Sequence, residues 1–409
     1  MAMSATGPGA RVSIARVGDK GASAAQQAVG EAVSLAGDLK ALVGGRRVVI
    51  KPNVFAPYPP PTTTDPRVVA ALVGLARDAG ASRVLVAEGR SVSTARFRSR
   101  HNTTPACCAV TGMDRAVAEA GAEFVALEDD EFVEVALPHS DLLKSAHVAR
   151  TILDAEALIN VPVMKIHSLT LVTLCIKNLH GILCDVDKVQ FHCYREEALA
   201  RKLVDLLLIK PPALNVVDGL LGQEGDHASS GRPVQMGVVI AGQDPVATDA
   251  VTSAVMGLDP FEVATTRIAA QRGLGVGDLR KIEVVGAPIA QVRRPFARPD
   301  VEISAARFPG LKVYAGDYCL ACAYYTRRGL DTLRAKGLLD EEHPLSLVIG
   351  KEPLVPDDIP GKVVLVGDCA LESESVKRLR DCLLVQDRLH AVHACPPMEL
   401  RIRAEELLS

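Results

Sequence analysis

Short apolar runs alternate with amphipathic stretches through the first two thirds of the chain. Five runs are nearly continuous in apolar residues and have the length of buried strands. They are Arg47–Ile50, Arg83–Ala87, Ala157–Val161, Leu214–Val217 and Gly237–Ala241. Helices are predicted at Ser23–Ala36, Pro66–Ala79, Ala198–Leu207 and Pro245–Met256. Apolar strands that alternate with helices predict an α/β fold with a mainly parallel sheet covered by helices.

A second, smaller alternation follows residues 285–308, a segment rich in proline and arginine that is interpreted as a linker. Beyond it come the runs LKVYAG, SLVIG, KVVLVG and HAVHAC, with helices predicted from about Tyr324 to Lys336 and from Met398. The chain is long enough for two or three domains. We therefore predict an α/β domain over residues 1–295 and a smaller α/β domain over residues 306–409.

The smaller predicted domain contains cysteines with the spacing of metal ligands. Cys319 and Cys322 form a C-x-x-C pair, Cys369 follows the run VVLVGD, and Cys395 precedes two prolines. Cluster iron prefers thiolate ligands, usually four per [4Fe-4S] cluster, and a proline after the last cysteine is familiar from ferredoxin-type runs. These four cysteines are the predicted ligands of one [4Fe-4S] cluster. Cys382 is interpreted as a spare residue on a helix face.

Two other interpretations of these cysteines stay open. A structural zinc site can also use four thiolates, although it more often presents two close pairs. Buried cysteines that act as small hydrophobic residues are the second alternative. The chain has ten cysteines, and its first residues lack the charged and apolar regions of a secretory signal, so reduced thiols in the cytoplasm are expected.

Composition narrows the class of protein further. The chain of 409 residues is 48% hydrophobic but only 3% aromatic, so its cores must be built mainly from aliphatic residues. Its formal net charge of −3 and the lack of arginine or lysine runs argue against nucleic-acid binding. No apolar stretch reaches the ~18 residues needed to span a bilayer, so no membrane partner is expected.

Polar and charged residues follow the predicted strands where each strand ends. If the strands are parallel, these positions gather at the carboxyl edge of the sheet, where open α/β folds bind ligands. Turn chemistry explains aspartate and asparagine at such positions, but lysine is not a turn-forming residue. The residues concerned are Lys51, Asn53, Glu88, Lys165, His167, Asp218 and Asp244.

The glycine-rich segment Gly219–Pro233, which contains Glu224, is predicted to be a loop. Such loops serve either as lids over α/β sites or as solvent-exposed connections. Neither this segment nor the run GLGVGDL at Gly273–Leu279 matches a phosphate-binding motif, so a nucleotide cofactor is not indicated.

The stretch from Lys165 to His192 is the densest in ionisable residues. Lysines beside histidines favour an anionic substrate, because an ammonium group is a point charge for carboxylate or phosphate. Histidine can transfer protons near neutral pH, and its spacings here match no metal signature. The predicted catalytic residues are Lys51, Lys165, His167 and Lys177, and the predicted substrate-binding residues are Asn53, Asn178, Asp218, Glu224 and Asp244.

Six segments carry a resemblance to a known family. They are VVIKPN, TTDP, NVPVMKIH, TLCIKNLHG, NVVDGLLGQEG and AGQDPVATDAVTSAVMGLDP. Together they resemble the DUF362 family over roughly residues 10–285. The tail is similar to a variant in which four dispersed cysteines hold one iron–sulfur cluster, although Ala394 replaces the usual glycine. The resemblance implies motif positions, without roles, for Lys51, Asn53, Asp65, Lys165, His167, Lys177, Asn178, Asp218, Glu224, Asp244 and Asp249.

The first functional hypothesis is a cytoplasmic iron–sulfur oxidoreductase that acts on an anionic small organic molecule at the sheet edge facing the cluster. Proton donors beside an electron source suit a reduction. The alternatives are a non-redox lyase or dehydratase with an open iron as Lewis acid, an electron-transfer or cluster-carrier protein, and a zinc-stapled binding protein. Expected partners are the anionic substrate and, as hypotheses, a ferredoxin or flavodoxin electron donor and a second copy of the chain in a homodimer.

Overall fold

The computed structural model describes residues 10–18, 23–97, 102–193, 197–226, 230–356, 359, 361–377, 389–393, 395 and 397. The chain divides into two compact units. The larger unit contains the residues up to Phe191 and Ala198–Arg298, and the smaller contains His192–Glu197 and the residues from Pro299 onward. No helix within the described ranges is both long enough and apolar enough to cross a membrane.

A ten-stranded, mainly parallel sheet forms the centre of the larger unit. The strands of this unit are β1 (Arg11–Arg16), β2 (Arg47–Lys51), β3 (Arg83–Glu88), β4 (Glu123–Ala126), β5 (Phe132–Ala136), β6 (Ser145–Ala149), β7 (Ala157–Asn160), β8 (Val163–His167), β9 (Leu171–Thr173), β10 (Leu214–Gly225), β11 (Gly231–Gly242) and β12 (Glu283–Gly286). The main order is β12-β1-β11-β10-β7-β2-β3-β4, with β8 beside β10 and β9 beside β8. β11 is antiparallel to both neighbours, β9 is antiparallel to β8, and β5 pairs only with β6.

Helices cover both faces of this sheet, as predicted. They are α1 (Ala24–Ala36), α2 (Leu39–Val43), α3 (Pro66–Asp78), α4 (Val92–Phe97), α5 (Thr104–Thr111), α6 (Met113–Glu119), α7 (Arg150–Leu153), α8 (Cys175–Asn178), α9 (Asp185–Val189), α10 (Ala198–Asp205), α11 (Pro245–Val255), α12 (Ala264–Gln271) and α13 (Ile289–Val292). Val12 and Ile14 of β1 belong to the apolar cluster that contains α11, whereas Ala15 belongs to the cluster that contains α1. A sheet buried on both faces explains the nearly continuous apolar strands.

Aspartate–proline pairs determine where two of these helices begin. The side chain of Asp65 accepts a hydrogen bond from the backbone N–H of Arg67 at the start of α3, and proline follows at the first helical position. Asp244 does the same for the N–H of Val246 at the start of α11. An acidic N-cap followed by proline favours a helix start, so both helices begin at the residues predicted.

The prediction of a loop over Gly219–Pro233 is wrong for most of that segment. β10 continues to Gly225 and β11 begins at Gly231, so the two strands form a long antiparallel pair. The glycine and polar residues of this segment are typical of loops, so its composition did not indicate the pairing. Contacts with a neighbouring strand determine strand structure more than composition does. Residues 227–229 lie outside the described residues.

The segment 285–308, interpreted as a linker, contains the end of β12 and all of α13. Phe296 is buried in the apolar cluster of the larger unit, and its backbone N–H donates to the carbonyl of Met256 at 2.9 Å. The first half of this segment therefore packs onto the larger unit. The boundary between the two compact units falls after Arg298.

A four-stranded parallel sheet forms the centre of the smaller unit. Its elements are β13 (Leu311–Ala315), α14 (Leu320–Ala335), β14 (Leu345–Ile349), β15 (Lys362–Val366), α15 (Asp368–Leu371) and β16 (Leu389–Val392), with the strands in chain order across the sheet. α14 begins at Leu320, earlier than the predicted start at Tyr324, and Cys319 is its N-cap residue. Cys382 and the helix predicted from Met398 lie outside the described residues.

Candidate functional site

Lys51 and Glu88 form a buried ion pair at the ends of β2 and β3. The Lys51 ammonium donates hydrogen bonds to Glu88 Oε1 at 2.8 Å and to the Pro52 carbonyl at 3.2 Å. The Glu88 carboxylate also accepts from the backbone N–H groups of Val54 and Gly89. Burial lowers the pKa of Lys51, while the charge of Glu88 and its hydrogen bond oppose that shift.

Lys165 is a second buried lysine and lies in β8. Its ammonium donates to Asn53 Oδ1 and to the Thr62 carbonyl, both at 2.6 Å. It also lies 4.2 Å from the centre of the Phe55 ring. Burial moves the pKa of Lys165 well below its usual value, and the positive charge of Lys177 adds to that shift. A lysine in this state releases its proton more readily, as a proton donor near neutral pH requires.

Four asparagine side chains join the ends of neighbouring strands. Asn53 donates from Nδ2 to Asn178 Oδ1 at 2.9 Å, and Asn178 donates to Asn160 Oδ1 at 2.8 Å. Asn160 in turn donates to Asn215 Oδ1 at 3.0 Å. The register aligns Lys51 with Asn160 and Asn160 with Asn215 across β2, β7 and β10. Because each amide donates to the next, the chain of bonds fixes the orientation of every amide in it.

Two glycines let a further lysine approach the Lys51–Glu88 pair. A Cβ atom at Gly181 would lie 2.3 Å from Glu88 Oε1 and 2.7 Å from Lys51 Nζ. A Cβ atom at Gly89 would lie 2.4 Å from the Gly181 carbonyl oxygen and 2.9 Å from Lys188 Nζ. A side chain at either glycine would displace backbone or charged groups, so this approach depends on glycine at both positions.

The ammonium groups of Lys177 and Lys188 differ from those of Lys51 and Lys165 in their contacts. Within the part of the chain that the structure describes, neither ammonium has a hydrogen-bond or ion-pair partner. Burial lowers the pKa of each to about 8, and Lys51 adds to the shift. Glu88 opposes the shift at both lysines, and Asp185 and Glu128 also oppose it at Lys188. Glu88 also acts electrostatically on Lys165. These four lysines with Glu88, named the lysine site below, carry an excess of positive charge that suits an anion.

Asp249 holds the short helix that carries Lys177 and Asn178. From α11, its carboxylate accepts hydrogen bonds from the N–H groups of Cys175 at 2.7 Å and Ile176 at 3.1 Å, at the start of α8. Burial raises the pKa of Asp249 to about 7. The sequence marked this residue as a motif position, but its contact with α8 spans 74 positions of the chain and had no local signal.

His167 lies at the end of β8 and is buried. Its Nδ1 accepts hydrogen bonds from the N–H groups of Leu169 at 3.0 Å and Thr170 at 3.3 Å. An accepting ring nitrogen carries no proton, so the neutral imidazole has its proton on Nε2. The catalytic role of His167 stays a prediction, and Nε2 is the nitrogen through which it would act.

Asp218 lies inside β10, because that strand continues beyond the predicted end at Val217. Its carboxylate accepts hydrogen bonds from the N–H groups of Asp65 at 2.7 Å and Leu220 at 3.0 Å. Burial raises the pKa of Asp218 to about 7, and these hydrogen bonds oppose the shift. The residue therefore anchors the start of α3, and its contact with substrate stays a prediction.

Glu224 and Asp244 also accept hydrogen bonds within the fold. Glu224 accepts from the N–H of Ala297 at 2.9 Å and pairs with Arg232 at 3.2 Å. Besides capping α11, Asp244 accepts from the N–H of Val276 at 2.8 Å. Asp244 follows β11, which runs opposite to the parallel strands, so the expectation that it joins their carboxyl edge does not apply to it. Substrate binding by either residue stays a prediction.

The four cysteines predicted to bind the cluster are brought together in the smaller unit, beyond the carboxyl ends of its strands. Cys319 precedes α14 and Cys322 lies in its first turn, Cys369 lies in α15 after β15, and Cys395 follows β16. A hydrogen bond with Cys319 and burial raise the pKa of the Cys322 thiol. Charges on Cys319, Cys395 and Cys369 add to that shift, so all four sulfurs interact.

Two of these thiols are in direct contact, because a hydrogen bond joins Cys319 and Cys322. The hydrogen bond from Cys322 lowers the pKa of Cys319 to about 7, although burial opposes that shift. Four cysteine thiols gathered in this way can hold either one zinc ion or a [4Fe-4S] cluster, so the cluster stays a prediction.

Comparison with protein families identifies the larger unit. Residues 48–254 match the family described as a domain of unknown function, DUF362. This match covers 207 of the 409 residues, and it contains Lys51, the asparagine chain and the predicted catalytic lysines and histidine. The chain therefore belongs to the DUF362 family.

One similar protein is the thylakoid-associated protein sll1697 of Synechocystis sp., which is 29% identical over 237 residues. The aligned region covers 57% of this chain and 69% of that protein. Among solved structures, the lactate racemase apoprotein of Thermoanaerobacterium thermosaccharolyticum is 13% identical, with a TM-score of 0.42. The match covers 98% of this chain and 81% of that protein. A Thermotoga maritima protein is 12% identical, with a TM-score of 0.36, and the match covers 92% of this chain and 96% of that protein. No function follows from likenesses this distant.

Proposed function

We propose that the chain is an iron–sulfur enzyme that reduces an anionic small organic molecule bound at the lysine site. The observation that carries the proposal is that two of the four ammonium groups there have no protein partner in the described part of the chain. Glu88 neutralises Lys51, but Lys177 and Lys188 have no hydrogen-bond or ion-pair partner within the described residues. Burying a charge without a partner is costly, and an anionic ligand would supply the partner.

Lys177 is the group best suited to contact the ligand. It is half-buried, and its pKa of about 8 leaves it charged at neutral pH yet able to release a proton. Lys165 is held in place by Asn53 and Thr62, and burial moves its pKa well below the usual value. A two-electron reduction consumes two protons, which these two lysines would supply.

The four cysteines of the smaller unit would hold the cluster in this function. When bound, a [4Fe-4S] cluster supplies electrons one at a time. The two electrons would come from a reduced ferredoxin or flavodoxin. The role of the protein at this second site is to present four thiolates whose like charges a metal core offsets.

Substitution of single cysteines tests the ligand set. In protein purified without oxygen, Cys395→Ser should lose most of the iron and acid-labile sulfide, because serine lacks a thiolate. Cys382→Ser is the matched control and should keep both. Loss of iron in Cys382→Ser together with its retention in Cys369→Ser would contradict the ligand set.

The same cysteine variants also distinguish an enzyme that reduces its substrate from a lyase. If all four cysteines are required, each iron is fully ligated and the cluster suits electron transfer. A cluster that survives the loss of one of the four would instead favour an iron with an open position, which acts as a Lewis acid. An electron paramagnetic resonance signal that appears on reduction with dithionite would support the redox function.

A further inference from the structure

A second group of metal-binding side chains lies in the larger unit, apart from the cysteines discussed above. It consists of His147, Cys184 and Asp187. One ligand atom from each residue lies within 4.8 Å of the others, and no other such trio occurs in the described ranges. His147 is exposed, Cys184 is half-buried and Asp187 is buried, so the group is open to solvent on one side.

Backbone pairing brings these residues together from distant parts of the chain. Val148 of β6 forms an antiparallel bridge with Leu183, and the N–H of Cys184 donates to the His147 carbonyl at 3.0 Å. Cys184 is the N-cap residue of α9, and Asp187 lies in the first turn of that helix. The His147 ring and the Cys184 thiol therefore meet beside the Asp187 carboxylate.

Further hydrogen bonds hold this arrangement rigid. Asp187 Oδ2 accepts from the backbone N–H of His147 and lies 3.1 Å from Nδ1 of its ring. At the other end of α9, the buried ammonium of Lys202 donates to the carbonyls of Lys188 at 3.0 Å and Gln190 at 2.6 Å. Side chains fixed in this way lose little freedom when they bind an ion.

The types of ligand atom in this group favour one class of metal ion. It offers one imidazole nitrogen, one thiolate and one carboxylate, which are the ligand types that zinc accepts in proteins. Magnesium and calcium require oxygen ligands throughout, so they suit this group poorly. Three protein ligands leave a fourth tetrahedral position for water or another small ligand.

We propose that His147, Cys184 and Asp187 bind one zinc-class divalent ion with an open coordination position. A hydrogen bond between His147 and Asp187 alone would not require a cysteine beside the two residues. The Cys184 thiol, which hydrogen-bonds to Asp187, adds a third donor of a type that zinc binds. This proposal does not depend on the iron–sulfur cluster or on the lysine site.

Cobalt(II) is the probe of choice, because a cobalt–thiolate bond gives a charge-transfer absorption. The full-length chain with Cys319→Ser and Cys322→Ser is the background, since those substitutions disable the cysteines of the smaller unit. This background should bind one cobalt ion per chain with that absorption, and zinc should displace it. Adding Cys184→Ser should abolish the absorption and weaken cobalt binding by more than about tenfold.

Two controls keep the test decisive. Serine is a favourable N-cap residue, so Cys184→Ser should leave the circular dichroism spectrum unchanged and should not lower the metal-free unfolding midpoint. Cys193→Ser in the same background should retain both the absorption and the affinity. Cobalt binding that is unaffected by Cys184→Ser, or a folded background that binds no cobalt, would overturn the proposal.

Discussion

The carboxyl edges of the two parallel sheets gather different chemistry. At the edge of the larger sheet, polar side chains satisfy one another: asparagines bond in series, and Glu88 meets Lys51 and two backbone N–H groups. Beyond the edge of the smaller sheet, a hydrogen bond joins the Cys319 and Cys322 thiols, and the charges of Cys395 and Cys369 also act on Cys322. The same topology therefore places a hydrogen-bonded polar network in one unit and a group of four thiols in the other.

This difference matters for the proposed function. A connected network of hydrogen bonds keeps its shape without a ligand, so the proposed anion would find the lysine site already formed. Four thiolates side by side would repel one another, so the proposed cluster would be needed to offset their charges.

The largest expected effect tests the hydrogen-bonded network of the larger unit. Glu88→Gln removes the buried charge that Lys51 pairs with, which should lower the free energy of unfolding by about 3–5 kcal/mol. Urea unfolding measures the change. The matched control is Glu123→Gln, which breaks the exposed Arg83–Glu123 pair and should cost about 0–1 kcal/mol. Similar costs for the two variants would show that Glu88 does not hold the network.

The next effect concerns anion binding. Lys177→Met should weaken binding of inorganic phosphate or citrate, measured by calorimetry at pH 7, by tenfold or more, because a hydrogen bond to a charged group contributes about 1.5–3 kcal/mol. Lys144→Met removes an exposed lysine and should change nothing. Equal affinities in wild type and Lys177→Met would remove Lys177 from the proposed site.

A smaller effect is expected where α8 is held by Asp249. Asp249→Ala leaves the buried N–H groups of Cys175 and Ile176 without their acceptor, which should cost about 1–3 kcal/mol of unfolding free energy. Asp249→Asn keeps an acceptor oxygen and should cost less. If Asp249→Ala and Asp249→Asn lower the free energy of unfolding equally, Asp249 does not stabilise the fold through its hydrogen bonds to α8.

The smallest effect is a pH dependence. The pKa of Lys177 is about 8, so its ammonium is charged below that pH and loses its proton above it. Phosphate affinity of the wild type should therefore fall as pH rises from about 7 to 9. This fall should be smaller in Lys177→Met, and a steeper fall in that variant would contradict the assignment.

Local signals in the sequence predicted much of the fold. The starts of α3 and α11 follow from Asp-Pro pairs, and the buried strands follow from short apolar runs. Lys51 and Lys165 were singled out because lysine is not a turn-forming residue, although they lie at the end of β2 and inside β8 and do not follow those strands. The C-x-x-C pair pointed to a metal centre because its spacing is a signature by itself.

Features that depend on tertiary contacts escaped prediction. Asn160 and Asn215 lie inside predicted strands without any local sign of a shared contact, and only the register of β7 and β10 aligns them. Lys188 reaches the lysine site because Gly89 and Gly181 leave room for it, which no local pattern reveals. His147 and Cys184 are 37 positions apart and meet only through backbone pairing.

Metal analysis of the wild-type chain tests the central claim most directly, namely that four cysteines of the smaller unit hold one iron–sulfur cluster. Protein purified without oxygen should contain about four iron and four acid-labile sulfide per chain, and dithionite should generate a paramagnetic signal. Protein that carries zinc at the cysteines of the smaller unit, with no iron or sulfide, would contradict the account.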